Sequence, residues 1–237
     1  MKKILITGSS GFIGFHLSKF LLKKKYIVIG IDNHNSYYSR KVKIKRLSIL
    51  KKNKKFFFEK IDINNKQKLN KVFQKFLPNI VIHLAGQPGV LYSFKNPNSY
   101  YANNINATKT LCRICKDFEI KKFIFGSSSS VYGDQKTFPI LENAKVNPKN
   151  VYAKTKLKSE KIVNKTFFKS KTNFIIFRFF TVYGPYGRPD MFIHKFLNHI
   201  KLNKLINIHN NGLNFRDFTF VDDVVLILEK SLKKKNY

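Results

Sequence analysis

The sequence of 237 residues has no tryptophan, two cysteines and 13 acidic residues, and it lacks any apolar run of the roughly 20 residues that a membrane-spanning helix needs. Cys112 and Cys115 lie inside a predicted helix, which excludes a disulfide framework or a four-ligand zinc site, and we expect no bound metal. A redox Cys-Xaa-Xaa-Cys motif normally opens a helix, so that interpretation is also disfavoured. The chain enters a predicted strand at once, with no signal-peptide segment, and we expect a cytosolic protein without membrane contact.

The shortage of acidic residues leaves a formal charge of +33, which raises the hypothesis of a nucleic-acid or anionic-membrane partner. The lysines recur from Lys2 to Lys235 instead of forming one stripe, and Lys, Asn, Ile, Phe and Tyr are abundant together. These residue types share A- and T-rich codons, so a nucleotide-composition bias explains the excess. We expect no specific nucleic-acid partner, although a salt-dependent, nonspecific attraction to polyanions follows physically.

The N-terminal segment passes from an apolar run through a glycine turn into a helical pattern. The three glycines of the turn are Gly8, Gly11 and Gly14. This spacing lets the backbone turn sharply and lets a phosphate approach the main chain at the positive end of a helix. Asp32 ends the next apolar strand, about twenty residues later, where a dinucleotide fold has its ribose-binding carboxylate. An ordinary turn and a helix-capping aspartate are the alternatives for each signal alone, but together they predict a dinucleotide site.

Apolar strands alternate with helical patterns from the N-terminus to Arg178. The predicted strands are Lys3–Thr7, Val28–Asp32, Phe56–Ile61, Ile80–His83, Lys122–Phe125 and Asn173–Arg178. The helices between them include Phe12–Lys25, Lys66–Phe76, Asn98–Phe118 and a basic helix with Ile44, Leu47 and Leu50 on its buried face and a solvated basic face. The fold class is therefore α/β, a Rossmann-type doubly wound parallel sheet, whose ligands gather at the carboxyl ends of the strands.

A serine run and a Tyr–Lys pair carry the candidate chemistry. Ser127 to Ser130 follow the fifth strand, and Tyr152 and Lys156 lie one turn apart on one helix face. A phenol with a pKa of about 10 needs a cationic neighbour to act as a base at neutral pH, and a serine hydroxyl can hold the substrate alcohol. Such a pair alone is often a surface pair, but beside the glycine turn and Asp32 it favours hydride transfer at a carbinol carbon.

On these motifs the chain resembles the extended short-chain dehydrogenase/reductase family, specifically its nucleotide-sugar epimerases and dehydratases. The motifs that carry the resemblance are Thr7–Gly14, His83–Gln87, Tyr152 with Lys156, and Arg216–Thr219. The resemblance implies an NAD cofactor and Ser128, Tyr152 and Lys156 as catalytic residues. It implies cofactor contacts from Gly8, Gly11, Phe12, Ile13, Gly14, Asp32, Asp62, Ile63, Ala85, Gly86, Tyr152 and Lys156.

The resemblance also implies a reaction and a substrate. Dehydratases and decarboxylases of the family place acidic residues after the fifth strand, and their absence from Ser127 to Ser130 favours simple C4 epimerisation of a UDP-sugar through a 4-keto intermediate. Asn35–Tyr38 and Thr181–Met191 resemble the UDP-glucuronate 4-epimerases, in which a threonine and an arginine hold the sugar carboxylate. The implied substrate-binding residues are Ser128, Ser129, Thr181, Arg188 and Arg216.

The predicted reaction is therefore conversion of UDP-glucuronate to UDP-galacturonate. Two alternatives remain, a UDP-glucose or UDP-N-acetylglucosamine type of 4-epimerase and a truncated, catalytically silent NAD-binding protein. We assign residues 1–180 to an NAD-binding Rossmann domain with the catalytic residues, and 181–237 to a small, truncated substrate-binding region interleaved with it. Family members continue into a longer substrate domain, so we expect part of the sugar pocket to be missing. The resemblance also implies a homodimer formed through the helices Asn98–Phe118 and Val151–Phe168.

Overall fold

A computed structural model gives the structure of residues 2–213 and 215–233. Six strands form its central sheet: β1 Lys3–Thr7, β2 Ile27–Ile31, β3 Phe56–Glu59, β4 Ile80–His83, β5 Lys122–Ser128 and β6 Asn173–Phe179. All neighbours are parallel, in the order β3-β2-β1-β4-β5-β6. Continuous runs of isoleucine, valine and phenylalanine suit strands that are buried on both faces. This is the strand order of a doubly wound dinucleotide-binding fold, so the predicted fold class is confirmed.

Nine α-helices in the described residues surround the sheet. They are α1 Phe12–Lys23, α2 Arg40–Lys51, α3 Lys66–Phe76, α4 Val90–Lys95, α5 Pro97–Tyr100, α6 Ala107–Asp117, α7 Val151–Phe167, α8 Phe192–Lys201 and α9 Val221–Ser231. One apolar cluster packs α1, α2 and α9 against one sheet face, and a second packs α3, α6 and α7 against the other. The predicted helix Asn98–Phe118 is interrupted, because a π-helical turn at Tyr101–Asn106 separates α5 from α6.

Helix α2 differs from the prediction. Ile44 is 55% exposed, whereas the charged residues Lys43 and Arg46 are buried beside Leu47 and Leu50. These four buried positions follow the i, i+3, i+4, i+7 spacing of one helix face. The prediction of a solvated basic face is therefore wrong for Lys43 and Arg46. These two side chains are buried because backbone carbonyls and a tyrosine hydroxyl accept their hydrogen bonds.

The residues after β6 form more regular structure than the predicted loops. Thr181–Tyr183 (β7) and Phe218–Phe220 (β8) pair as a second parallel sheet, and α9 packs against α1 in the first apolar cluster. Residue 214, part of a predicted substrate loop, lies outside the described residues, and the division at residue 180 stays a prediction. No helix in the described part of the chain is long and apolar enough to cross a bilayer, and the cytosolic location also stays a prediction.

Candidate active site

A cavity of about 260 Å³ opens along the carboxyl ends of β1, β2, β4 and β5. Most of the predicted site residues line it: Gly8, Gly11, Phe12, Ile13, Gly14, Asp32, Asp62, Ile63, Ala85, Gly86, Ser128, Tyr152, Lys156 and Arg188. Three do not line it. Ser129 lies in a short 3-10 turn beyond β5, Thr181 lines a smaller neighbouring cavity that Arg188 also reaches, and Arg216 is exposed and donates to the adjacent Phe215 carbonyl. Roles for these three stay predictions.

The glycine turn leaves no space for side chains. Gly8 has a φ of 72°, and an added Cβ would lie 2.9 Å from the Ala85 nitrogen. A Cβ on Gly14 would lie 2.1 Å from the Gly8 carbonyl oxygen. Gly11 precedes α1 without any side-chain cap, so the first N–H groups of the helix remain available to an anion. This bare backbone at a helix N-terminus fits the pyrophosphate of a dinucleotide.

Two carboxylates stand where a dinucleotide needs hydrogen-bond acceptors. Asp32 Oδ2 accepts the Ser10 N–H at 3.1 Å, and its Oδ1 accepts the His34 N–H at 2.8 Å. Backbone donors thus hold the Asp32 carboxylate at the cavity wall, and its remaining lone pairs can accept ribose hydroxyls. Asp62 is held by the Asn33 side chain at 2.9 Å. These acceptors suit an adenosine with an unmodified ribose.

Tyr152 lies in the first turn of α7, which begins after Asn150, whose side chain accepts the Ala153 N–H at 2.9 Å. Burial raises the pKa of Tyr152, whereas a hydrogen bond with Ser128 and the charge of Arg188 act to lower it. The hydroxyl therefore stays protonated near neutral pH, before any ligand adds a further charge. The geometry brings a phenol, a serine and a guanidinium to one wall of the cavity.

Lys156 is buried one turn further along α7. Its Nζ donates to the Gly126 carbonyl at 2.5 Å and lies 4.4 Å from the centroid of the Phe125 ring. Burial lowers the pKa of Lys156 to about 8, although the charge of Glu160 acts in the opposite direction. Glu160 in turn pairs with Arg178 at 2.8 Å and accepts the Ser127 hydroxyl. Ser127 is therefore committed to Glu160.

Arg188 lies in the cavity wall as part of a hydrogen-bonded pair with Asp190. Its Nε donates to Asp190 Oδ1 at 3.0 Å, its Nη2 donates to Asp190 Oδ2 at 2.5 Å, and the Tyr37 hydroxyl donates to Asp190 Oδ2 at 3.0 Å. Burial opposes the charge on Arg188, but these interactions with Asp190 outweigh burial and raise the pKa of Arg188. Arg188 is therefore a cation held at one wall of the cavity.

Residues 4–237 match the model of the NAD dependent epimerase/dehydratase family. The chain belongs to this family. Protein CapI of Staphylococcus aureus is 43% identical, over 98% of this chain and 70% of CapI. UDP-glucuronate 4-epimerase of Thermodesulfobacterium geofontis is 41% identical, over 98% of this chain and 72% of that protein. The crystal structure of UDP-glucuronic acid 4-epimerase from Bacillus cereus with UDP-glucuronic acid and NAD has a TM-score of 0.93 at 37% identity, over 99% of this chain and 74% of that one.

Membership of the NAD-dependent epimerase/dehydratase family confirms three predictions, namely the family resemblance, the NAD cofactor and the class of NAD-dependent epimerases. Bound NAD supplies the oxidising power, since it accepts a hydride and can return it. The glycine turn and Asp32 would hold the pyrophosphate and adenosine, and Tyr152 and Lys156 would hold the nicotinamide ribose. The individual residue roles remain proposals.

A buried polar network behind the cavity was not predicted, although Thr7, His83 and Gln87 belong to motifs that carry the family resemblance. The His83 ring bonds the Thr7 hydroxyl at 2.7 Å through Nδ1 and the Thr108 hydroxyl at 3.0 Å through Nε2. Burial and then the charge of Lys156 lower the pKa of His83 to about 3, so His83 is neutral and is no general base at neutral pH. Asn104 accepts the Gln87 N–H at 2.7 Å and donates to Thr155 at 3.0 Å. This network joins the loop after β4 to α7.

Four other missed residues are Lys43, Arg46, Glu160 and Arg178. A signal exists for Glu160, which lies four residues after Lys156 on the same helix, and for Arg178, which ends an apolar strand pattern. Lys43 lines the cavity and donates to the Asn35 side chain at 2.8 Å. For Lys43 and Arg46 the only signal of burial was their helical spacing from Leu47 and Leu50. A search for apolar residues overlooks this signal because both residues are charged.

Replacing Lys156 by methionine should stabilise the protein without cofactor by about 1–3 kcal/mol at pH 7, because the buried ammonium is disfavoured. The pKa of Lys156 in the folded protein, about 8, lies below its ordinary value of 10.5. The loss of stability caused by the buried ammonium is therefore fully present below pH 8 and disappears as the pH rises from about 8 to 10.5. Urea unfolding at pH 7 and pH 10 measures it, with the exposed Lys154→Met as control. A variant less stable than the parent at pH 7 would contradict this account.

Replacing Asp32 by asparagine should reduce the preference for NAD over NADP by roughly tenfold or more, because the carboxylate that repels a ribose 2′-phosphate is lost. Asparagine retains one acceptor oxygen for the Ser10 or His34 N–H, so the fold should persist. The measurement is the dissociation constant of each cofactor, with the surface variant Asp134→Asn as control. Equal affinity of the parent protein for both cofactors would refute this role of Asp32.

Proposed function

We propose that this protein catalyses NAD-dependent C4 epimerisation of UDP-glucuronate to UDP-galacturonate through a transient 4-keto intermediate. The observation that carries the proposal is the Arg188 cation in the same cavity as Tyr152 and Ser128. A guanidinium can bind a sugar carboxylate through parallel hydrogen bonds. The names of the Thermodesulfobacterium and Bacillus cereus relatives support this substrate.

The proposed mechanism uses Tyr152 as the base. Once deprotonated, the Tyr152 oxygen would take the proton of the C4 hydroxyl while Ser128 holds that hydroxyl, and it would return the proton to the C4 oxygen after the 4-keto sugar has presented its opposite face. Bound NAD would supply the redox chemistry at C4, as acceptor and then donor of the same hydride. Lys156, which lines the same cavity one turn further along α7, would contribute a positive charge to the site. The 4-keto uronic acid is a β-keto acid, which loses carbon dioxide when its carboxylate bond aligns with the carbonyl π system. In this proposal Arg188 holds the carboxylate away from that alignment.

Simple epimerisation is favoured over dehydration because, in the described structure, the turn that directly follows β5 carries no carboxylate. Ser127 to Ser130 bear hydroxyls only. Glu160 lies behind them, but its carboxylate is buried and is committed to Arg178 and Ser127. Because the Arg178 guanidinium and the Ser127 hydroxyl already occupy its oxygens, the Glu160 carboxylate is not placed to take a proton from the substrate.

A 4-epimerase for a neutral UDP-sugar is the second candidate. The observation that favours it is that Asp190 already accepts from both Nε and Nη2 of Arg188. A substrate carboxylate would then have to share the guanidinium, whereas a neutral sugar would not need it.

The experiment is a substrate panel with a cofactor measurement. Purified protein is assayed for bound NAD and is incubated with UDP-glucuronate, UDP-glucose and UDP-N-acetylglucosamine, and each C4 epimer is separated by anion-exchange chromatography. UDP-galacturonate as the main product supports the proposal, and faster turnover of a neutral sugar supports the second candidate. Retained NAD with no turnover of any sugar would leave a catalytically silent NAD-binding protein.

We also propose a homodimer formed through the surface beside α6 and α7. What supports it is a group of exposed apolar side chains on the elements that pack against these helices, Leu91 and Phe94 on α4 and Tyr101 in the π-helical turn. The charge of +33 opposes association, so added salt should favour the dimer. Sedimentation equilibrium at low and physiological salt tests this, and a monomer at micromolar concentration and physiological salt would contradict it.

A further inference from the structure

Arg46 on α2 is a charged residue with no exposed surface. None of the ion pairs in the described part of the chain includes it. Instead, its Nη1 donates to the Ser10 carbonyl at 3.0 Å and the Tyr38 hydroxyl at 2.8 Å. A buried guanidinium that is compensated only by neutral acceptors is costly to maintain, so its geometry needs an explanation.

The other half of the guanidinium holds the segment that carries Arg188. Arg46 Nη2 donates to the Tyr186 carbonyl at 2.6 Å and the Gly187 carbonyl at 3.1 Å. The preceding carbonyl, that of Pro185, bonds the His16 Nε2 at 2.8 Å. Three successive carbonyls before Arg188 are therefore bound by side chains from α1 and α2, the two helices that follow β1 and β2.

The backbone at Tyr186 is strained and needs this support. Tyr186 has a φ of 54°, which is unfavourable for a residue with a side chain. Its ring packs 5.2 Å from that of Phe15, centroid to centroid, so α1 holds the side chain while Arg46 holds the carbonyl. These contacts therefore fix the backbone two residues before Arg188.

A second contact joins the residues just before α2 to the segment that carries Arg188. The Tyr37 hydroxyl donates to Asp190, which orients Arg188 through two hydrogen bonds. This hydrogen bond puts the segments Asn35–Tyr38 and Thr181–Met191 in direct contact. Both segments resemble the UDP-glucuronate 4-epimerases.

We propose that Arg46 is a positioning residue for recognition of the substrate carboxylate. It ties the Arg188 segment to the glycine turn, and Tyr37 assists through Asp190, so that the guanidinium of Arg188 has a fixed place relative to the cofactor. This inference rests on the proposed function. A small displacement of a binding group can cost up to about a hundredfold, so loosening Arg46 should weaken binding of a uronate without weakening binding of a neutral sugar equally.

The test compares Arg46→Lys, Tyr37→Phe and, as a matched control, Tyr26→Phe at the distant end of β2. Calorimetry on the full chain loaded with NAD gives the dissociation constants of UDP-glucuronate and UDP-glucose, and their ratio is the readout. Arg46→Lys keeps the charge but cannot span all four acceptors, and should reduce the preference for UDP-glucuronate by roughly tenfold or more. Tyr37→Phe should reduce it several-fold, and Tyr26→Phe should leave it unchanged. General damage to the fold would instead weaken the binding of UDP-glucuronate and of UDP-glucose by similar factors.

The outcomes separate the two proposals. An Arg46→Lys protein that is folded, retains NAD and keeps the parental preference overturns the inference and leaves the proposed function intact. A parent protein without any preference for UDP-glucuronate overturns the proposed function, and the inference with it. If Arg46→Lys fails to fold, Tyr37→Phe decides, because it removes one half-buried hydroxyl, and an unchanged preference in that variant overturns the inference.

Discussion

Replacing Tyr152 by phenylalanine is expected to reduce epimerase turnover by roughly a hundred- to ten-thousand-fold, the usual contribution of a general base. The reason is that the change removes only the hydroxyl that exchanges a proton with the substrate. NAD binding should be almost unchanged, since the glycine turn, Asp32 and Lys156 remain. Steady-state kinetics and the content of bound NAD measure the two effects separately.

The control is again Tyr26→Phe, which makes the same chemical change outside the cavity. Ser128→Ala should cost less than Tyr152→Phe, because Ser130 Oγ lies 3.1 Å from Ser128 Oγ and can replace part of its role, whereas Ser127 is held by Glu160. A Tyr152→Phe protein with parental turnover would show that another group is the base.

The parts of this protein that follow from its sequence are those with a local cause. Lys66–Phe76 and Ile80–His83 were predicted with the bounds that the structure has, because helical spacing, an intervening proline and a short apolar run all act within a few residues. The glycine turn and Asp32 were found for the same reason, since the positive φ of Gly8 and the close approach of Gly14 to the Gly8 carbonyl are properties of one strand-turn-helix unit.

What could not be predicted depends on partners far away in the chain. The spacing of Arg46 from Leu47 and Leu50 indicates only its burial, whereas one of the carbonyls that accept its hydrogen bonds lies 140 residues later, and nothing near Arg46 indicates that partner. Likewise the role of Asp190 depends on its hydrogen bonds with Arg188 and with the distant Tyr37. The π-helical turn that brings Asn104 to Gln87 and Thr155 also has no local pattern of its own.

Replacing Arg188 by methionine is expected to weaken UDP-glucuronate binding by roughly thirty- to a thousandfold, because a charged, partly buried hydrogen-bonding partner is lost. Binding of UDP-glucose should change little. The same variant should lose about 1–3 kcal/mol of stability, since Asp190 keeps its charge without its cation, and the residual exposure of both side chains limits the loss.

The double variant Arg188→Met/Asp190→Asn separates binding from folding. It removes the carboxylate that Arg188→Met leaves unpaired, so it should recover most of the stability but none of the affinity for UDP-glucuronate.

Burial acts to raise the pKa of Asp190, but Arg188 outweighs burial and lowers it. The stabilisation by the Arg188–Asp190 pair is therefore present above the ordinary carboxyl pKa and is lost as the pH falls through the lowered value. The stability deficit of Arg188→Met should therefore shrink in acid, as urea unfolding at pH 7 and in acid would measure. If the single variant binds UDP-glucuronate as the parent does, the carboxylate is held elsewhere, and the neutral-sugar alternative gains support because Arg188 would then serve only to neutralise Asp190.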